Sequence, residues 1–156
     1  MNKRKRIAFF TSVHLPFDDR IFYHFALSLI SNFDVTIVST CDEVNEKSQE
    51  VEIMSTRAFN QDKKAKIAYF ISKAEEINPH IIICSEPLPI YAAAQYKKRF
   101  QKKQCKLIYD VTEFYPSKKN LISLTGFKRG LTRFKMYLFN LLCYQQGKWF
   151  YFRRTL

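Results

Sequence analysis

Two glutamates and a histidine lie at the ends of apolar runs that predict buried strands. His14 follows the strand predicted at residues 6–13, Glu86 follows the one at 80–84, and Glu113 follows the one at 106–111. A carboxylate at the end of a buried strand could accept the proton of a substrate hydroxyl. We therefore take Glu86 and Glu113 as candidate catalytic residues, with His14 at the same predicted edge.

The elements that must position these residues are strands and helices in alternation. Further strands are predicted at 34–40 and 51–54, the latter at an edge of the sheet, and 42–50 is predicted to be a loop. Helices are predicted from a cap at Asp18 or Asp19 to Asn32 and at 66–77, where apolar residues recur at helical spacing. A third helix is predicted from 87 to about 103, because proline is well tolerated in a first turn. Parallel strands need such crossovers, so we predict an α/β fold with a doubly wound parallel sheet and helices on both faces. Ligands bind such sheets at the carboxyl ends of the strands.

Several kinds of site are disfavoured by the motifs. Residues 11–20 contain no glycine, which argues against a dinucleotide site after the first strand. There is no phosphate-loop lysine motif, and His14, His24 and His80 share no metal-ligand spacing. The four cysteines form no CxxC pair and read as reduced thiols. We therefore expect neither a metal nor a resident cofactor.

Positive charge is concentrated in the last 60 residues. Residues 1–96 have a net charge of −1, whereas residues 97–156 have a net charge of +13. This asymmetry predicts an anionic partner: membrane lipid, nucleic acid or a phosphorylated substrate. No segment has the length and hydropathy of a membrane span, and no signal peptide is apparent.

A helical stripe of apolar residues is predicted from Phe127 to Trp149. Its flanks carry the cations Lys128, Arg129, Arg133 and Lys135. The stripe could pack on the sheet or lie at an anionic membrane surface, and the two can coexist. We thus predict a domain at 1–120 and a basic amphipathic segment at 121–156, in a cytoplasmic protein that can lie peripherally at the inner face of the plasma membrane.

Three segments resemble the amino-terminal half of family 4 glycosyltransferases. They are residues 12–22, SVHLPFDDRIF, with the ALSL and DVTI segments that follow; residues 85–90, SEPLPI; and residues 108–116, IYDVTEFYP. In the last segment, Thr112 stands where the family pattern carries a histidine. The matches occur in the family's order and cover roughly residues 6–120.

The resemblance implies the acceptor-side, Rossmann-like domain of a GT-B enzyme, which transfers a sugar from a nucleotide sugar to an acceptor hydroxyl without a required metal. It implies acceptor-binding roles for a set of residues around the strand ends: His14, Asp18, Arg20, Thr112 and Tyr115. A second domain, in cis or as a separate subunit, would hold the nucleotide donor, so we expect the chain to be inactive alone. Similar enzymes build polysaccharide or glycolipid, often on lipid-linked acceptors.

A second class of function stays open at this point. The chain could be a non-catalytic, basic Rossmann-like module that binds an anionic membrane or nucleic acid. No RNA-binding or zinc signature supports nucleic acid, which is the less favoured partner.

Overall fold

The computed structural model describes residues 4–59 and 62–110, which form six strands and three helices. The strands are β1 (Lys5–Thr11), β2 (Phe33–Ser39), β3 (Val44–Ser48), β4 (Val51–Ser55), β5 (Ile81–Cys84) and β6 (Lys106–Tyr109). Helix α1 consists of a wide, π-type segment, Asp19–Ala26, and an α-helical turn, Leu27–Leu29. Helices α2 (Lys63–Ile77) and α3 (Pro87–Arg99) are α-helical throughout.

The strands form one sheet in the order β3-β4-β2-β1-β5-β6. Every neighbouring pair is parallel except β3 and β4. Helical crossovers connect β1 to β2, β4 to β5 and β5 to β6, as parallel pairing requires. The predicted α/β class, a single Rossmann-like domain with a mostly parallel sheet, is confirmed.

The central strand β1 is covered on both faces, which explains its continuous apolar sequence. Ala8 and Phe10 pack with α2 and α3 in one core cluster, whereas Ile7 and Phe9 pack with α1 in the other. Phe10 and Phe70 of α2 stack with ring centroids 5.2 Å apart. These two layers hold the carboxyl ends of the strands in fixed positions.

The β3–β4 hairpin departs from the prediction. The segment 42–50 was predicted to be a loop, but it contains β3, which pairs antiparallel with β4. Therefore β4 lies between β3 and β2 and not at the edge. The prediction was wrong because β3 is an edge strand whose residues are exposed or only half-buried, so its sequence has no apolar alternation.

The turn of this hairpin supplies a test of local strain. Gln49 and Glu50 both have positive φ, 46° and 69°, a conformation that favours Asn-Gly in two-residue hairpin turns. We expect the double substitution Gln49→Asn/Glu50→Gly to raise the free energy of unfolding by about 1 kcal/mol, since it relieves left-handed strain. Urea unfolding measures the change. As a control, Lys47→Gly in the interior of β3 should lower stability, and equal effects of the two changes would contradict this account.

The helix ends follow from single residues. Asp18 caps α1 and Asp62 caps α2, each through its side chain to two backbone N–H groups. Asn78 adopts a left-handed conformation and ends α2 before Pro79, as predicted, although α2 begins three residues earlier than expected. In α1, the wide turns bury Ile21, Phe22 and Ala26, while Phe25 is only half-buried.

Candidate functional site

The carboxyl ends of the parallel strands bring the predicted loops together at one edge of the sheet, here called the carboxyl rim. It includes the loop at residues 12–18, Ser85 and Glu86 after β5, and Asp110 after β6. The predicted residues His14, Asp18, Arg20 and Glu86 all lie there. The predicted residues Thr112, Glu113 and Tyr115 lie outside the described part of the chain.

Glu86 is a buried carboxylate at the centre of the rim, with only 2% of its surface exposed. Its Oε1 accepts a hydrogen bond from the Thr11 hydroxyl at 2.7 Å, and its Oε2 accepts one from the Ser12 N–H at 2.9 Å. Burial raises the pKa of the Glu86 carboxyl; these hydrogen bonds and the nearby His14 oppose the rise without cancelling it. Both carboxylate oxygens thus bind groups of this protein, which suits Glu86 to organising the first loop.

His14 is the more accessible member of the site, since one third of its side chain is exposed. Its Nδ1 lies 3.2 Å from Asp18 Oδ2, and its Nε2 lies 3.4 Å from Glu86 Oε1. Its backbone is held on both sides, because its N–H donates to Thr11 Oγ1 and its carbonyl accepts from Ser39 Oγ, each at 3.0 Å. The imidazole is therefore fixed between two acids at the surface of the rim.

Asp18 and Arg20 connect the rim to helix α1. Asp18 Oδ1 accepts from the N–H groups of Arg20 and Ile21 at 3.0 and 3.2 Å, which is a helix N-cap. Arg20 forms an ion pair with Asp110, which follows β6, and its guanidinium lies over the Phe25 ring. Helix α1 follows β1 and Asp110 follows β6, and β5 lies between these two strands. The ion pair therefore connects the segments that lie on either side of Glu86.

A row of buried hydroxyl residues lies next to the carboxyl rim, at the last positions of three strands. Thr11, Ser39 and Ser55 pair in register across β1, β2 and β4, and all three are fully buried. They were not among the site residues predicted from the sequence. Their common signal is a hydroxyl residue at the last position of each of three apolar strands, where a polar side chain can bind the loop that follows.

Cys41 is a further residue near the site that was not predicted from the sequence. Burial raises the pKa of its thiol, the Glu86 charge acts in the same direction, and the Ser39 hydroxyl and the charges of Lys66 and Arg57 oppose it. The thiol therefore lies within electrostatic reach of Glu86. Because its pKa is raised, we assign Cys41 no nucleophilic role.

All three helices that begin at the rim carry an acid at the N-cap. The Asp18 and Asp62 carboxylates accept the first free N–H groups of α1 and α2. Glu86 precedes α3, whose Pro87 and Pro89 have no N–H. Helix N-termini bind phosphate through free N–H groups and their positive dipole end. The capped ends of α1 and α2 therefore do not offer a phosphate that arrangement. At α3 the Glu86 side chain caps no N–H group, but two of the first three residues have none to offer.

Other predicted features lie elsewhere or outside the described residues. Two predictions lie outside the described part of the chain: the domain division at residue 120, and the helical stripe with Lys128, Arg129, Arg133 and Lys135.

Residues 4–59 and 62–110 contain no cluster of three or more potential metal ligands among His, Cys, Asp and Glu side chains. In the same residues, no helix is both long enough and apolar enough to cross a bilayer.

Comparison of the chain with protein-family models finds no match, and comparison with curated proteins finds none either.

Proposed function

We propose that this chain forms the acceptor side of the cleft in a GT-B glycosyltransferase similar to family 4 enzymes. Support comes from the resembling segments: their residues His14, Asp18, Arg20, Glu86 and Asp110 lie together at the carboxyl rim. This edge is where open α/β sheets bind their ligands. In the proposal, a nucleotide sugar is the donor substrate and a hydroxyl compound is the acceptor.

One observation supports the acceptor assignment: each helix that begins at the carboxyl rim has an acidic residue at its N-cap. A donor pyrophosphate would meet Asp18, Asp62 and Glu86 where phosphate-binding domains present free N–H groups. Like charges oppose such binding, whereas neutral hydroxyl groups can donate hydrogen bonds to carboxylates. We therefore propose that a second, donor-binding domain, in cis or as a separate subunit, holds the nucleotide.

Within this proposal, the described residues divide into two roles. His14 and Asp18 are accessible enough to contact an acceptor hydroxyl, since 33% and 27% of their side chains are exposed. Glu86 is a positioning residue, because its buried carboxylate binds Thr11 and the backbone of Ser12. Glu113 stays a candidate for the catalytic base, with Thr112 and Tyr115 as candidate acceptor contacts.

A titration of the ¹⁵N-labelled chain with a panel of neutral oligosaccharides tests the proposal. We expect saturable shifts of the backbone amides of Ser12, His14 and Arg20 with at least one acceptor. His14→Ala should weaken that binding about tenfold, as the loss of one polar contact would.

His24→Ala is the matched control, because His24 is an exposed histidine of α1 whose ring contacts Asp19. It should leave the affinity unchanged. Saccharides that shift only amides remote from the rim, or an equal loss of affinity in His14→Ala and His24→Ala, would contradict the acceptor site.

A further inference from the structure

The turn from α3 into β6 gathers an unusual density of positive charge. Six of the ten residues from 97 to 106 are cations, and none is an acid. We call this set the basic edge: Lys97, Lys98, Arg99, Lys102, Lys103 and Lys106. It lies where β6 begins, at the end of the sheet opposite the carboxyl rim.

Backbone hydrogen bonds fold this turn into one compact unit. The Lys102 N–H donates to the Lys97 carbonyl at 3.0 Å, and the Cys105 N–H donates to the Lys102 carbonyl at 3.0 Å. The Lys106 N–H donates to the His80 carbonyl at 2.9 Å, which joins the turn to β5. The six cations therefore lie on one short, compact segment at this end of the sheet.

Among the described residues, the lysines of the basic edge have no acidic partners. Across the described ranges, none of the five takes part in an ion pair, and Arg99 lies over the Phe100 ring. Two acids lie in the last turn of α2: Glu76 binds Lys73 at 2.8 Å, and Glu75 lines the same surface groove as Arg99.

The dipole of α3 explains only half of this cluster. Lys97, Lys98 and Arg99 lie in the last turn of the helix, where positive charge is favourable. Lys102, Lys103 and Lys106 lie beyond that turn and gain little from it. Their mutual repulsion is a cost that an anionic partner would relieve.

We infer that the basic edge binds the anionic headgroups of a lipid bilayer. Lysine is a compact point charge on a flexible stem, which suits a diffuse negative surface better than a defined phosphate site. Surfaces that bind single-stranded nucleic acid usually add exposed aromatic platforms. In the described ranges, the exposed large apolar side chains are Val13, Leu15, Phe17, Tyr23 and Tyr91, none of which belongs to this turn.

The position of the basic edge sets the orientation of the bound domain. It is separated from His14 by the length of the strands, roughly 15–25 Å at about 3.3 Å per residue. The carboxyl rim therefore faces away from the bilayer, and ligands reach His14 from the aqueous side. This inference stands independently of the proposed sugar transfer.

Flotation with vesicles of phosphatidylglycerol and phosphatidylcholine, compared with pure phosphatidylcholine, tests the inference on the full chain. We expect binding only to the anionic vesicles. Lys103→Gln/Lys106→Gln should lower the partition coefficient about thirtyfold, roughly fivefold for each lysine. Both side chains are exposed, so the fold should be retained.

Lys63→Gln/Lys64→Gln is the matched control, since it removes two exposed lysines from the first turn of α2 at the carboxyl rim. It should change partitioning less than twofold. Equal losses in the two double variants would overturn the inference, as would full retention of binding by Lys103→Gln/Lys106→Gln. Absence of binding to anionic vesicles, with tight binding to duplex RNA, would assign the edge to nucleic acid instead.

Discussion

Thr11→Val should destabilise the domain by about 3 kcal/mol, although valine has nearly the same shape as threonine. The Thr11 hydroxyl donates to Glu86 Oε1 at 2.7 Å and accepts from the His14 N–H at 3.0 Å. Its loss leaves a buried carboxylate oxygen without this donor and an N–H without its acceptor, and unsatisfied buried groups cost about 1–3 kcal/mol each. Urea unfolding followed by circular dichroism measures the change.

Thr11→Ser is the matched control, because it keeps the hydroxyl and removes only a methyl group. We expect it to cost about 1 kcal/mol. If Thr11→Val were as stable as Thr11→Ser, the hydroxyl would not hold Glu86 and the first loop together. The threonine would then serve only as a core residue of β1.

Glu86→Gln should change how the stability of the domain depends on pH. Burial raises the pKa of Glu86 above its ordinary value of 4.5, so between these two pKa values the folded chain binds more protons than the unfolded chain. Stability is therefore lost as pH rises from 4.5 through the folded pKa. The slope from this group approaches about 1.4 kcal/mol per pH unit inside that window.

The readout is the difference in unfolding free energy between wild type and Glu86→Gln, measured from pH 4 to pH 8. Because glutamine does not titrate, the difference should move in favour of the variant as pH rises. Glu52→Gln, at an exposed position of β4, controls for the loss of one negative charge. A difference that stays constant with pH would show that the Glu86 pKa is the same in the folded and unfolded states.

Much of the fold follows from the apolar pattern of the sequence. The runs at β1 and β2 are buried on both faces, and β5 is buried on one face and half-buried on the other, as expected for strands of a sheet covered by helices on both sides. Strand β3 was not predicted because Asn45, Glu46 and Lys47 are exposed and give no apolar alternation. The strand is held by its backbone pairing with β4, which the side-chain pattern does not reveal. The Gln49-Glu50 turn also lacks the residues typical of a tight hairpin.

The sequence predicts where the candidate residues lie better than it predicts what they contact. The order of strands and loops brings His14, Asp18, Arg20 and Glu86 to one rim. However, periodicity does not reveal that Glu86 is buried and bound by Thr11 and Ser12, because this depends on how closely β1 and β5 pack. The ion pair between Arg20 and Asp110 likewise joins segments far apart in sequence.

We propose that the carboxyl rim receives a neutral acceptor and offers no site for a donor phosphate. A ¹⁵N titration with nucleoside diphosphates tests it most directly, with the amides of Arg20, Ile21, Lys64 and Ala65 as reporters of the capped helix ends. We predict no saturable shift of these amides up to millimolar nucleotide. Saturable shifts with micromolar affinity would contradict the account, because the carboxylates of Asp18 and Asp62 would then have yielded these N–H groups to phosphate.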